Sequence, residues 1–248
     1  MPVRPLALRP GRAVSVSHVV RTAQRPLSTA SNDKLAVDSA IRQRAQWITM
    51  KTHNTIPIPS HYNDLNGSLS EAWRLLTRGA ADRKSPMHTP AVATVGLDGR
   101  PRVRTVVLRH TDPPSRTLRF HTDVRAAKIA EIAANPDVQV LAYDAVGKVQ
   151  LRLLGRAVAH QRDDIADAAW SRSQHQSQQC YRQSASPGTG TAEPSAALVP
   201  SDNDGRANFV AVVVHVDELE WLYLAHSGHR RARFTWSGNT MTATWLAP

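Results

Sequence analysis

Apolar positions between residues 69 and 82 recur at helical spacing, with Ala72, Trp73, Leu75, Leu76 and Ala80 on one face, and predict an amphipathic helix. Ser68-Leu-Ser-Glu71 before it has capping-box spacing, and Pro86 and Pro90 close it. Beyond Pro90 the pattern turns to short apolar runs and alternation, the mark of strands. These fall at Ala91–Val95, Val103–Leu108, Thr117–His121, Val138–Tyr143, Val149–Ala159, Phe209–Val216, Trp221–His226, Arg231–Trp236 and Thr240–Trp245. Leu97-Asp98-Gly99-Arg100 reads as a tight hairpin whose two central residues take φ > 0. A second helix is expected over 124–134, capped by Asp123 and stopped by Asn135-Pro136, and a third over Asp163–Arg172. Strands outnumber helices about three to one and do not alternate βαβ, so the fold class is mainly β: an antiparallel barrel with peripheral helices. Residues 183–208, rich in Ser, Pro, Gly, Ala and Thr, read as a long loop.

Composition refines this picture at three points. With 41% apolar and 21% charged residues, the 248-residue chain can build a packed core. The single cysteine excludes a disulfide scaffold and any multi-cysteine zinc site, and neither His-x-His nor His-Glu-x-x-His occurs, so no metal is expected. The net charge of +11 is concentrated: residues 1–49 hold eight Lys/Arg against Asp33 and Asp38, leaving 23 basic and 18 acidic residues for the other 199. Residues 1–49 therefore stand apart. They read either as an Arg-rich transit peptide or as an over-extended start ahead of Met50. The expected location is cytoplasmic, or mitochondrial if residues 1–30 are a transit peptide. The mildly basic body, poor in aromatics, suits a small anionic ligand better than a nucleic acid, and no apolar run is long enough for a membrane helix.

The candidate chemistry begins at Arg102-Val-Arg104-Thr-Val-Val-Leu-Arg109, a strand bearing three arginines around an apolar run. On such a strand residues 102 and 104 share a face and 109 takes the other. Thr122 at a helix start and Lys128 in that helix's second turn follow. A strand arginine, a hydroxyl, free helix N–H groups and a lysine together make a phosphate site.

These segments resemble the pyridoxamine 5′-phosphate oxidase-like FMN-binding split-barrel family over residues 66–248. Arg104-Thr-Val-Val-Leu-Arg109-His110 is similar to its flavin-binding strand, and Phe120-His121-Thr122 with Lys128 to its phosphate-binding strand and helix. Gln150 is similar to the strand position that meets the flavin edge, Trp170-Ser171-Arg172 to the helix end that carries substrate contacts, and His229-Arg-Arg-Ala-Arg233 with Trp245-Leu-Ala-Pro248 to the C-terminal segment. The resemblance implies a split-barrel domain over 50–248 and a homodimer with FMN at the subunit interface. It also implies cofactor contacts from Arg104, Thr105, Val106, Val107, Leu108, Arg109, His121, Thr122, Lys128, Gln150 and Arg233. Substrate contacts are implied for Arg109, Arg172, His229 and Arg231. Ala168, Gln176 (or Ser177) and His229 stand where the family's substrate-phosphate tyrosine, serine and arginine are expected, which places the chain in a divergent branch. The implied function is an FMN-dependent oxidoreductase acting on the CH–NH2 or CH–OH group of a small substrate that can carry a phosphate, without assured pyridoxamine phosphate specificity. A flavin or haem carrier of the same fold is the alternative.

Overall fold

Asp64, not Ser68, caps the first helix. In the computed structural model, which describes residues 58–194 and 205–248, the Asp64 carboxylate accepts a 2.6 Å hydrogen bond from the Gly67 N–H. Helix α1 (Leu65–Ala81) therefore starts earlier than the apolar pattern indicates. Ser68 is buried in its first turn and donates to the Asp64 carbonyl, while Glu71 pairs with Arg74. The capping box is thus absent, because a carboxylate one turn upstream already satisfies the first N–H groups. The apolar face is as expected: Ala72, Trp73, Leu75 and Leu76 are buried. The expectations for residues 1–49 and for the 195–204 part of the long loop lie outside the described residues.

Strands β1 (Ala91–Val95) and β2 (Pro101–Thr105) form the expected hairpin. Its turn is longer than two residues: the Gly99 N–H donates to the Gly96 carbonyl, and only Gly99 is left-handed, with φ 76°. Asp98 instead accepts from the Arg100 N–H and the Arg102 guanidinium. The strand expected over 103–108 is broken. Val106 donates its N–H to the Pro90 carbonyl, and the chain leaves β1 to begin β3 (Leu108–Asp112), which pairs with β4 (Thr117–Asp123).

Helix α2 (Ala127–Ala134) has Ala126 at its N-cap and no side-chain cap. Asp123 does not fill that role because the backbone and guanidinium of Arg125 occupy its carboxylate. Strands β5 (Asp137–Asp144) and β6 (Val149–His160) follow, then α3 (Asp164–Ser171), capped by Asp163, and a short unexpected α4 (His175–Gln179). The two strands expected over 209–226 are one, β7 (Phe209–Tyr223); β8 (Arg230–Ser237) and β9 (Thr240–Leu246) complete the set.

The sheet is antiparallel throughout, in the order β2-β1-β5-β6-β7-β4-β3, with β8 on β7 and β9 on β8. Strand β7 divides it. Residues 209–215 pair with β4 and residues 218–223 with β8, while β6 runs along both parts. The register shift between Leu154 and Gly155 sits at this division. A side chain at Gly155 would place its Cβ 2.0 Å from the His215 carbonyl oxygen, so the close approach requires glycine. One face of the sheet packs the core around Leu76, Leu151, Leu153, Val212, Leu219 and Trp221. The mainly β split-barrel expectation holds.

Candidate functional site

The expected phosphate-binding residues converge on the core-facing side of β2 and β4. In register, Arg104 lies beside Val92, which lies beside Val140, in a row of buried side chains. Its guanidinium bonds Glu131 of α2 at 2.8 Å and also donates to the Thr94 hydroxyl. Glu131 is only 5% exposed and accepts from Thr94 as well. Lys128 donates to the buried Thr122 hydroxyl at 2.9 Å. Burial, with the Arg104 charge second, lowers the Lys128 pKa from its ordinary value. An ammonium that is half-buried and, among the described residues, satisfied only by a hydroxyl, beside a guanidinium, is a donor set that fits a phosphate. Two details differ from expectation. Thr122 belongs to β4 rather than to a helix start, and Lys128 lies in the first turn of α2. Sequence reasoning missed Glu131; an acidic residue on a helix carries no sign of a strand arginine 27 positions away.

Consecutive residues of β4 point to opposite faces. His121 therefore looks away from Thr122, into a cavity of about 610 Å3 between β3–β4 and the α3–α4 segment. Val107, Arg109, His121 and Arg172, four of the expected residues, line it. Arg83 and Arg119, which no motif of the sequence includes, line it too, as does His110, the last residue of the flavin-strand motif; among the described residues no carboxylate does. The pKa of His121 falls to about 3, first through burial and then through Arg119 and Arg109. Burial followed by Arg172 lowers that of Arg119, and burial followed by Arg119 lowers that of His110. Among the described residues, the Arg119 Nε and the His121 Nε2 are buried without a hydrogen-bond partner. Gln176 and Ser177, the two candidates for the missing serine, both line the cavity; Ala168 and His229 do not.

The remaining expected residues sit elsewhere. The Leu108 side chain is buried in the core, 2% exposed, so only its backbone can meet a ligand. Thr105 is exposed at the end of β2, and His229 is exposed in the turn before β8. Gln150, Arg231 and Arg233 lie on the sheet face turned away from the core. There Arg152, Arg231 and Arg233 surround Glu220, which is 4% exposed. Within one chain this group does not join Arg104 and Lys128. A larger open groove of about 950 Å3 beside Trp73, Arg116 and Trp236 contains none of the expected residues. Among the described residues there is no cluster able to hold a metal ion, and no helix is long and apolar enough to cross a membrane.

Comparison with known proteins decides what this frame is. Residues 70–161, which hold Arg104, Thr122, Lys128, Glu131 and Gln150, match the family described as pyridoxamine 5′-phosphate oxidase, FMN-binding domain. The segment is a pyridoxamine 5′-phosphate oxidase-like FMN-binding domain. Its cofactor is FMN, and the chain is a flavoprotein of split-barrel fold.

Curated relatives of this FMN-binding domain include pyridoxine/pyridoxamine 5′-phosphate oxidase 2 of Arabidopsis thaliana, 37% identical over 87 residues, which cover 34% of this chain and 44% of that protein. The pyridoxine/pyridoxamine 5′-phosphate oxidase of Thermosynechococcus vestitus is 35% identical over 86 residues, covering 34% and 40%. The matches span less than half of either relative. In structure, a pyridoxamine 5′-phosphate oxidase-related FMN-binding protein of Nostoc punctiforme superposes with a TM-score of 0.61 at 22% identity, over 72% of this chain and 96% of that one. PhzG of Burkholderia lata, in complex with tetrahydrophenazine-1-carboxylic acid, gives 0.60 at 22%, over 78% and 98%. Both share the fold.

Proposed function

We propose that the protein is an FMN-dependent oxidoreductase whose substrate is a small anion held in the cavity beside His121. The observation that carries this reading is the back-to-back arrangement across β4. Thr122 faces Lys128 and Arg104 on one side, and His121 faces Arg109 and Arg172 on the other. The segment Val106–Val107 links Arg104 to the cavity wall. Arg104, Thr122 and Lys128 would hold the FMN phosphate, and the backbone of 106–108 would support the ring. When bound, FMN supplies the two-electron chemistry, while the chain binds, orients and shields the reactants. Arg109 and Arg172 would hold the anionic group of the substrate. His121, neutral at working pH, offers one hydrogen-bond donor and one acceptor without adding charge.

Two copies of the chain would complete the site. Gln150, Arg231 and Arg233 lie on the outer sheet face with the exposed apolar side chains of Val103, Leu141, Tyr143 and Leu154. If that face pairs with a second copy, these residues can approach the other copy's FMN. The sequence departures at Ala168 and His229 favour a substrate other than pyridoxamine 5′-phosphate.

The experiment is purification followed by a visible spectrum, anaerobic reduction by anionic amines and alcohols, and light scattering for the dimer. Flavin bands that bleach with one of these substrates are the expected result. A colourless protein that takes up no added FMN, or a flavin that no such substrate reduces, overturns the reading.

A further inference from the structure

The cavity carries more positive charge than one anionic group needs. Arg83, Arg109, Arg119 and Arg172 line it beside His110 and His121, and among the described residues no Asp or Glu lies in its wall. Among the described residues none of these four arginines has an ion pair, whereas Arg102, Arg104, Arg125, Arg152, Arg206, Arg231 and Arg233 each have one. Uncompensated guanidiniums that face one another are costly in the empty protein. Such an arrangement persists where a ligand supplies the missing charge.

Arg119 is the informative member. Its neighbours on β4, Leu118 and Phe120, point into the core, so Arg119 stands on the opposite sheet face, where an uncovered residue would be solvated. Here α3 and α4 cover that face: Ala169 of α3 packs on Phe209 and Ala211 of β7, beside β4. The cover leaves the Arg119 Nε buried and unpaired, with the unpaired Nε2 of His121 two residues along the same face. Arg119 belongs to none of the motifs that carry the family resemblance, and it is close enough to Arg172 for that charge, after burial, to lower its pKa, and to His121 to lower that of the imidazole.

We propose that the ligand of this cavity is a small polyanion with at least two ionised acid groups: a phosphate or carboxylate held by Arg109 and Arg172, and a second acid group held by Arg119 with the ring of His121. The proposal rests on the reading of the cavity as the substrate site, and it makes Arg119 a specificity-determining residue. A guanidinium gives a carboxylate or phosphate two parallel N–H donors, and the imidazole can donate a third hydrogen bond to the same oxygens. A volume of about 610 Å3 accommodates one aromatic ring with two such groups.

The test compares two probes that differ by one carboxylate, phenyl phosphate and 4-carboxyphenyl phosphate, titrated calorimetrically into the full chain before and after saturation with FMN. The wild-type protein is expected to bind 4-carboxyphenyl phosphate on the order of 10- to 150-fold more tightly. Arg119→Gln is expected to abolish that preference while leaving phenyl phosphate and FMN affinity unchanged. Because it removes a half-buried charge that has no ion pair among the described residues, this substitution should also leave the ligand-free melting temperature at or above the wild-type value. Arg119→Lys, which keeps the charge but loses the fork, should retain part of the preference, and it serves as the readout if the glutamine variant does not fold. Equal wild-type affinity for the two probes, no binding of either, or a preference that survives in both variants would overturn the proposal. A lower melting temperature in both variants would show Arg119 to be structural and would overturn it equally. FMN uptake is scored separately: its loss with the probe preference intact strikes the oxidoreductase reading and leaves this one standing.

Discussion

The two cationic regions on either side of β4 are built from the same residue types and are balanced differently. On the core side, Arg104 is neutralised by Glu131, and Lys128 rests on a hydroxyl. On the cavity side, arginines share one wall with no carboxylate among the described residues, and His121 is driven neutral. A guanidinium already paired with a carboxylate keeps its geometry when empty and gains less charge neutralisation from a phosphate. An unpaired cluster gains more and tolerates the empty state less well. The contrast suits a resident cofactor on one side and an exchanging ligand on the other.

Separating the two regions by mutation should give the largest effect. Arg104→Ala and Lys128→Ala each remove a charge-assisted contact worth about 1.5–3 kcal/mol, so each should weaken FMN binding on the order of 10- to 150-fold. Arg109→Gln and Arg172→Gln should leave FMN affinity near wild type. Titration of apo-protein with FMN checks all four, and equal losses on both sides would erase the distinction.

The cavity's charge excess should also be visible as pH-dependent stability. His121 titrates near 3 in the folded chain and near 6.5 when unfolded, so between those values the unfolded state binds more protons and stability falls as pH falls. From pH 7 to pH 5 the contribution lost is about 2 kcal/mol. Urea unfolding of ligand-free protein at pH 7 and pH 5 should show that difference shrink in His121→Gln. A wild-type pH dependence that the variant keeps in full would place the cause elsewhere.

The smallest expected effect is on Glu131. Glu131→Gln retains a hydrogen-bond acceptor for Arg104 and removes the negative charge beside the proposed phosphate, so FMN affinity should rise by a few-fold, on the order of 1 kcal/mol or less. Weaker FMN binding in this variant would mean that the carboxylate holds Arg104 in its binding position more than it competes for it.

The core-side region was largely legible in the chain because its parts are local: an arginine in an apolar run, then a hydroxyl, then a lysine soon after. The break at Val106–Val107 was not legible. An unbroken apolar stretch says nothing about a change of pairing partner, and it is the Val106 bond to Pro90 that takes the chain out of the ladder. The sequence of β7 reads as two strands because Asp217, Glu218 and Glu220 interrupt its apolar pattern. Three arginines from β6 and β8 neutralise Glu220, and those contacts depend on tertiary structure alone. Arg119 and α4 share one explanation. In alternating sequence an arginine between Leu118 and Phe120 looks solvated, and α4, five residues without apolar period, gives no warning that it and α3 will cover that face.

Arg104 is already immobilised before any phosphate arrives, with Glu131 and Thr94 holding its guanidinium through α2 and β1. A long side chain ordered during folding loses no further rotational freedom on binding, a saving of about 0.5–1.5 kcal/mol for each rotamer-rich side chain otherwise frozen at the moment of contact. Pre-ordering of this kind acts on both directions of exchange. Encounter with the phosphate needs no search by the arginine, and after departure the guanidinium returns to a waiting carboxylate rather than to water, so the empty site keeps its shape for the next molecule.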